Sequence, residues 1–154
     1  MSKEIHLNRK SFREYIDSAE EGMSYAVAVR GRSMFPCLLD GVSVVYLRKP
    51  KAGEYSPKKG DIVFFRRKSG AYVLHRIYKV KKDATLVING DAQNWFEETE
   101  VSAVCGVVER FLRKKHTISV NNPAYKIAVS LWQLILPLRP AIFKTAKIFK
   151  NRRK

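Results

Sequence analysis

The apolar positions of the chain change period twice. Across residues 9–21, Phe12, Tyr15, Ile16 and Ala19 fall at i, i+3, i+4 and i+7, and Gly22 follows; this spacing predicts one amphipathic helix. From residue 24 the pattern shortens. The runs SYAVAVR (24–30), VSVVYL (42–47), DIVFFRR (61–67), AYVLHRIYKV (71–80), ATLVIN (84–89) and AVCGVVERFL (103–112) are rich in β-branched and aromatic residues, with Gly, Pro, Asp and Lys between them. Short, closely spaced strands without intervening helical patterns predict a mainly β domain, a bent antiparallel sheet or small barrel. After Asn121-Asn122-Pro123 the period lengthens again. AYKIAVSLWQLILPL (124–138) and RPAIFKTAKIFKNRRK (139–154) predict two short helices broken around Pro137 and Pro140. The expected organisation is therefore an N-terminal helix (1–23), a β domain (24–120) and a helical tail (121–154).

Charge sharpens the picture of the tail. The chain of 154 residues carries a net charge of +16, and its 45% hydrophobic content is that of a folded domain. Residues 110–154 hold 12 of the 30 Lys and Arg and none of the 14 Asp and Glu; residues 1–109 balance to +4. An apolar stretch containing Trp132, followed by a basic amphipathic helix, suits an interface with anionic headgroups. The first apolar run is shorter than the roughly 20 residues that span a bilayer. The alternative is a helix packed on its own sheet with a solvated basic end. The N-terminal 22 residues have no apolar h-region, so neither a signal peptide nor a membrane span is expected there, and the expected location is the cytoplasmic face of a membrane. Cys37 and Cys105 are 68 positions apart and have no histidine at metal-ligand spacing; they are expected as core thiols, with no metal and no cofactor.

The candidate chemistry starts at VRGRSMFPCLLDG (29–41), where Gly31 and Pro36 bend an apolar run around Ser33. Of three histidines, His6 and His116 lie in charged stretches, whereas His75 sits inside the strand pattern YVLHRI. Asp91 occupies a Gly-Asp turn in INGDAQNW, a place where an aspartate ordinarily bonds its own backbone. Asp61 in KKGDIVFF reads as a turn residue that starts a strand.

In order, Gly31-x-Ser33-Met34-x-Pro36, Gly60-Asp61-Ile62-Val63, Leu74-His75-Arg76-Ile77, Gly90-Asp91-Ala92-Gln93 and Gly106-Val107-Val108 resemble the signal peptidase I family and its LexA-like serine peptidase relatives, over roughly residues 25–112. His75-Arg76 is similar to the branch that uses histidine, not lysine, as base. The resemblance implies Ser33 as nucleophile, its backbone N–H in the oxyanion hole, His75 as general base, Asp91 as the acid that orients His75, and Met34 and Pro36 beside the substrate. It implies an endopeptidase acting on a leader or signal-like peptide. The sequence departs from the pattern at Gly31, where many members have an assisting serine, and after Gly41, where no aspartate follows; Glu97 and Glu98 are loose equivalents of a further downstream acid. Two other readings stay open: a non-enzymatic module on the same fold that binds lipid or nucleic acid, and a self-cleaving regulator of the LexA kind.

Overall fold

The computed structural model describes residues 9–151; His6 and Arg152 to Lys154 lie outside them. Helix α1 (Arg9–Ser18) lays Ile16 into the core, Ala19 just past its end is buried as well, and Tyr15 stays partly exposed. Eight strands follow: β1 (Ser24–Ala28), β2 (Val44–Arg48), β3 (Ile62–Arg66), β4 (Tyr72–Val80), β5 (Leu86–Asn89), β6 (Glu97–Thr99), β7 (Val104–Arg113) and β8 (His116–Ser119). All pairings are antiparallel. The order is β1-β2-β7-β3-β4-β5-β6, with β8 on the far half of β7. The sheet is open and antiparallel, and it does not close into the small barrel that was the other expected form.

Six of the strands coincide with the apolar runs. The other two, β6 and β8, are short and charged or polar, and they pair at margins where one face meets solvent. β8 turns back on β7 through Lys114, whose φ of 57° lies in the left-handed region.

Two apolar clusters cover the two faces of the sheet. Ile62 and Phe64 point into one with Met34, Leu38, Val45, Leu47 and Phe111; Val63 and Phe65 point into the other with Ile77, Leu86 and Ile88. This split follows from the period-two alternation of β3, which is buried on both sides. Because β4 pairs residue for residue with β3 (Val63 opposite His75, Ile62 opposite Arg76), His75 and Arg76 point to opposite faces.

The tail forms α2 (Pro123–Leu134), a 3-10 turn (Leu136–Leu138) and α3 (Arg139–Asn151). Asn122 caps α2 by accepting the Tyr125 N–H, and Pro123 opens its first turn. The break falls at the two prolines as expected. The boundary drawn at residue 120 is not one in space, however. Arg139 is buried, and its guanidinium donates to Asn89 Oδ1 (2.8 Å) and to the carbonyls of Gln93 and Trp132. Gln133 donates to Ile77 O. One side of the tail is therefore packed on the body, as the alternative reading of the tail has it.

Candidate active site

Ser33 lies in the long β1–β2 connection. Gly31 sits at φ 89°, a conformation that residues with a Cβ rarely adopt, and its N–H is held by Asp40 Oδ1 at 3.0 Å. Met34, next in the chain, is buried and anchors the turn in the core, whereas Ser33 is half-buried. Gly31 N–H donates to Asp40 and Phe35 N–H to Arg32 O, yet among the described residues Ser33 N–H has no acceptor. An uncommitted amide on the serine itself is what an oxyanion hole needs. Pro36 follows Phe35 in a cis peptide, and Phe35 remains 43% exposed.

The Ser33 turn packs on the segment that follows β5. Ala92 N–H donates to Ser33 O at 2.8 Å, and a Cβ on Gly90 would stand 2.7 Å from that oxygen. Gly90 is therefore needed for close approach: any side chain would push the serine turn away. The same segment continues to Trp95, whose ring meets His75 edge-on at 6.5 Å, and to Glu97 at the start of β6. Residues 90–97 thus contact Ser33 at one end and His75 at the other. Among the described residues no hydrogen bond joins Ser33 to His75.

His75 is 1% exposed, beside Phe65. Its Nδ1 lies 2.8 Å from Glu97 Oε1. Glu97 is in turn gripped by Arg67, with Nε and Nη2 both 2.7 Å from its two oxygens. A carboxylate can only accept, so Nδ1 carries the proton and the neutral ring presents a bare Nε2 lone pair. Burial pushes the His75 pKa below its ordinary 6.5, against the opposing pull of Glu97. Burial acts to raise Glu97, but hydrogen bonds from Arg67 and the charge of His75 outweigh it and hold the carboxyl below its usual range. The imidazole is neutral, and the carboxylate charged, near neutral pH. A depression of about 370 Å³, lined by Phe65, Arg67, Glu97 and Ala103 among others, opens beside the Arg67–Glu97 pair; neither Ser33 nor His75 lines it.

Asp91 does not take the role expected of it. It is 1% exposed, and both its oxygens are occupied by Arg76: Nε to Oδ1 at 2.8 Å and Nη2 to Oδ2 at 2.7 Å. Arg76 Nη1 also donates to Gly60 O (2.9 Å) and Tyr125 Oη (3.0 Å). Burial would lower the Arg76 pKa, but Asp91 outweighs it and holds the guanidinium well above its ordinary value. The physical reason for the correction is strand parity. Arg76 and His75 point to opposite faces, and it is the Arg76 guanidinium, beside Tyr125 of α2, that reaches the Asp91 carboxylate. Trp132 Nε1 donates to Asp91 O at 2.9 Å, so α2 fixes the backbone of the same turn.

The arrangement thus has a partner for His75, Glu97, that carried no motif signal beyond its place a few residues after the Gly-Asp turn. Arg67, Trp132 and Arg139 had no signal at all, because each acts through contacts distant in sequence. His116 is exposed on β8, away from these groups, and Cys37 and Cys105 are both free thiols. What the geometry supplies is a half-buried serine with a free amide, and a buried neutral histidine with its tautomer set by a charged carboxylate. Both are in contact with the one segment 90–97. Comparisons with protein-family models, curated proteins and solved structures gave no match, so the fold that the chain shows is a mainly antiparallel β sheet, open and eight-stranded, with helices at both ends.

Proposed function

We propose that the protein is a serine endopeptidase of the signal peptidase and LexA-like type, with histidine as base, acting on a leader or signal-like peptide. The observation that carries this reading is the His75–Glu97 hydrogen bond on the same segment that holds the Ser33 turn. A serine hydroxyl is a weak nucleophile until a base accepts its proton. In this scheme Ser33 Oγ attacks the scissile carbonyl carbon while its proton passes to His75 Nε2. Glu97 holds the imidazolium through Nδ1–H, as the carboxylate of a serine–histidine–acid triad does. The carbonyl oxygen, now an oxyanion, accepts from Ser33 N–H, an interaction whose loss typically costs about 3–4 kcal/mol of barrier. The tetrahedral intermediate collapses, the C–N bond breaks, and His75 gives its proton to the leaving amine. Water then attacks the acyl-serine with His75 again as base, releasing the acid and regenerating Ser33.

Met34 takes no part in contacting substrate in this scheme: it is buried in the core and anchors the turn. Phe35 and the half-buried Pro36 are the turn residues with surface to offer a peptide. Asp91 supports the Ser33 turn through the backbone of residues 90–92 and does not act on the base.

The test is incubation of the full chain with synthetic leader peptides having small residues before the cleavage point, followed by mass spectrometry. Cleavage at one bond by the wild type and none by Ser33→Ala is the expected result. Equal cleavage by Ser33→Ala would end the serine-peptidase reading.

A further inference from the structure

The C-terminal helices have a covered side and an uncovered one, and the uncovered side is apolar. Tyr125, Trp132, Gln133 and Arg139 face the body and are bonded to it. The other side presents Ile127 (63% exposed), Leu131 (59%), Leu134 (76%), Leu138 (58%) and Ile142 (37%). Within α2 the spacing of four and three residues puts Ile127, Leu131 and Leu134 on one face, and the exposed Leu138 and Ile142 continue the aliphatic surface beyond the bend. Large apolar side chains this exposed and this aligned mark a surface that another phase or molecule covers.

The charge around the stripe selects the occupant. The 45 residues from Arg110 to Lys154 contain 12 bases and no acid, and Lys144 stands exposed on α3 just beyond Ile142. A second copy of a chain with net charge +16 would bring like charges together. Nucleic acid would match the charge but leave the aliphatic stripe wet, because no stacking aromatic lies on it. An anionic bilayer surface meets both demands: its acyl boundary takes the leucines and its headgroups take the lysines.

No single helix among the described residues is long and apolar enough to cross a membrane, and α2 with Leu136–Thr145 qualifies only as a pair bent by 62°. The polar grip of the inner side on β4, β5 and the Asp91 turn keeps that pair lying along the body. We propose that the outer stripe of α2 and α3 docks the protein flat on an anionic bilayer, setting the Ser33 turn at the lipid–water boundary. An aromatic chain makes the second half of that statement: Phe35, two residues after Ser33, meets Phe143 of α3 at 6.1 Å, and Phe143 meets Trp132 at 6.0 Å. The serine turn and the docking face are thus neighbours, and substrates would be drawn from chains lying at the membrane surface. None of the five stripe residues belongs to the proposed catalytic machinery, so the docking surface stands or falls independently of the peptidase reading.

Flotation of the full chain with vesicles tests it directly. The wild type is expected to float with phosphatidylcholine vesicles containing phosphatidylglycerol, and less with phosphatidylcholine alone. Added salt should weaken the binding without abolishing it, because only the ionic part is screened. The double variant Leu134→Glu/Leu138→Glu should lose roughly tenfold or more in affinity, with its thermal melting unchanged because both residues are already in water. If that variant melts early, Lys144→Glu replaces it; it should weaken binding to the anionic vesicles and leave binding to phosphatidylcholine unaltered. Failure of the wild type to float, flotation of a well-folded double variant as strongly as the wild type, or a dimer that the double variant dissolves would each overturn the proposal.

Discussion

Two adjacent residues of β4 each hold a carboxylate, and the two pairs behave as opposites. Arg76–Asp91 is bidentate and nearly water-free, and its guanidinium keeps its charge at every pH the fold tolerates. His75–Glu97 is a single bond between a buried ring and a carboxylate that is one-fifth exposed, and burial holds the imidazole pKa below its ordinary 6.5. The first pair is built to stay as it is. The second can take a proton and give it back. One step along a strand separates a structural strut from the proposed base, because successive residues look into different clusters with different neighbours.

The sharpest way to break this comparison is Asp91→Ala. If Asp91 is a strut, its loss leaves Arg76 charged and unpaired in the interior, a change that typically costs about 3–5 kcal/mol. Urea or thermal unfolding should show that loss, and whatever activity remains should keep the pH dependence of the wild type. An unchanged midpoint with activity gone would return Asp91 to the role of orienting His75.

Glu97→Gln should do the reverse. Stability changes little, since the pair is partly exposed and the amide oxygen can still accept from the ring and one Arg67 nitrogen, but cleavage should fall by about 10²–10⁴ because the imidazolium loses its counter-charge. Glu97 raises the His75 pKa, so its removal should also shift the acid limb of kcat/KM, expected below pH 6.5 in the wild type, further down. A variant with wild-type turnover would show that Glu97 is a bystander.

Arg67→Gln gives the smallest effect and the most discriminating sign. The Arg67–Glu97 pair is partly exposed, which limits its worth to about 1 kcal/mol, or about fivefold in rate. Arg67 lowers the His75 pKa, so here the acid limb should move up, opposite to Glu97→Gln. Shifts of the same sign in both variants would mean that the three groups do not act as one chain.

How legible this was in the sequence depends on the range of each contact. The six strong strands announced themselves because alternating apolar residues are a local signal, and so did the break at Pro137 and Pro140. The strand at Glu97–Thr99 did not, because EET next to Glu100 has the composition of a solvated run and becomes a strand only by pairing with Leu86–Ile88. The same pairing brings Glu97 to His75, and without the strand the sequence offered Glu97 only alongside Glu98, as a loose equivalent of a further acid. Asp91 drew attention because a Gly-Asp turn follows the strand, and its turn does contact Ser33. The identity of its own partner hung on whether residue 75 or 76 faces that turn, a parity that no motif records. The tail was legible as two helices and a charge pattern; that Arg139 reaches back fifty residues to Asn89 was not.

The strand order has a consequence for how the molecule is assembled. β1 and β2 form one local ladder, and β3 through β6 form another in which each strand pairs with the next; only β7 is laddered to both, joining β2 on one side and β3 on the other. Contacts between neighbours in sequence close early, and those that span some sixty residues close late. Ser33 belongs to the first unit, His75 and Glu97 to the second. Neither half alone holds both ends of the proposed reaction, so a chain caught before β7 docks would contain a serine without a base and a base without a serine. Proteolytic competence, on this topology, would arrive last in folding and at one stroke.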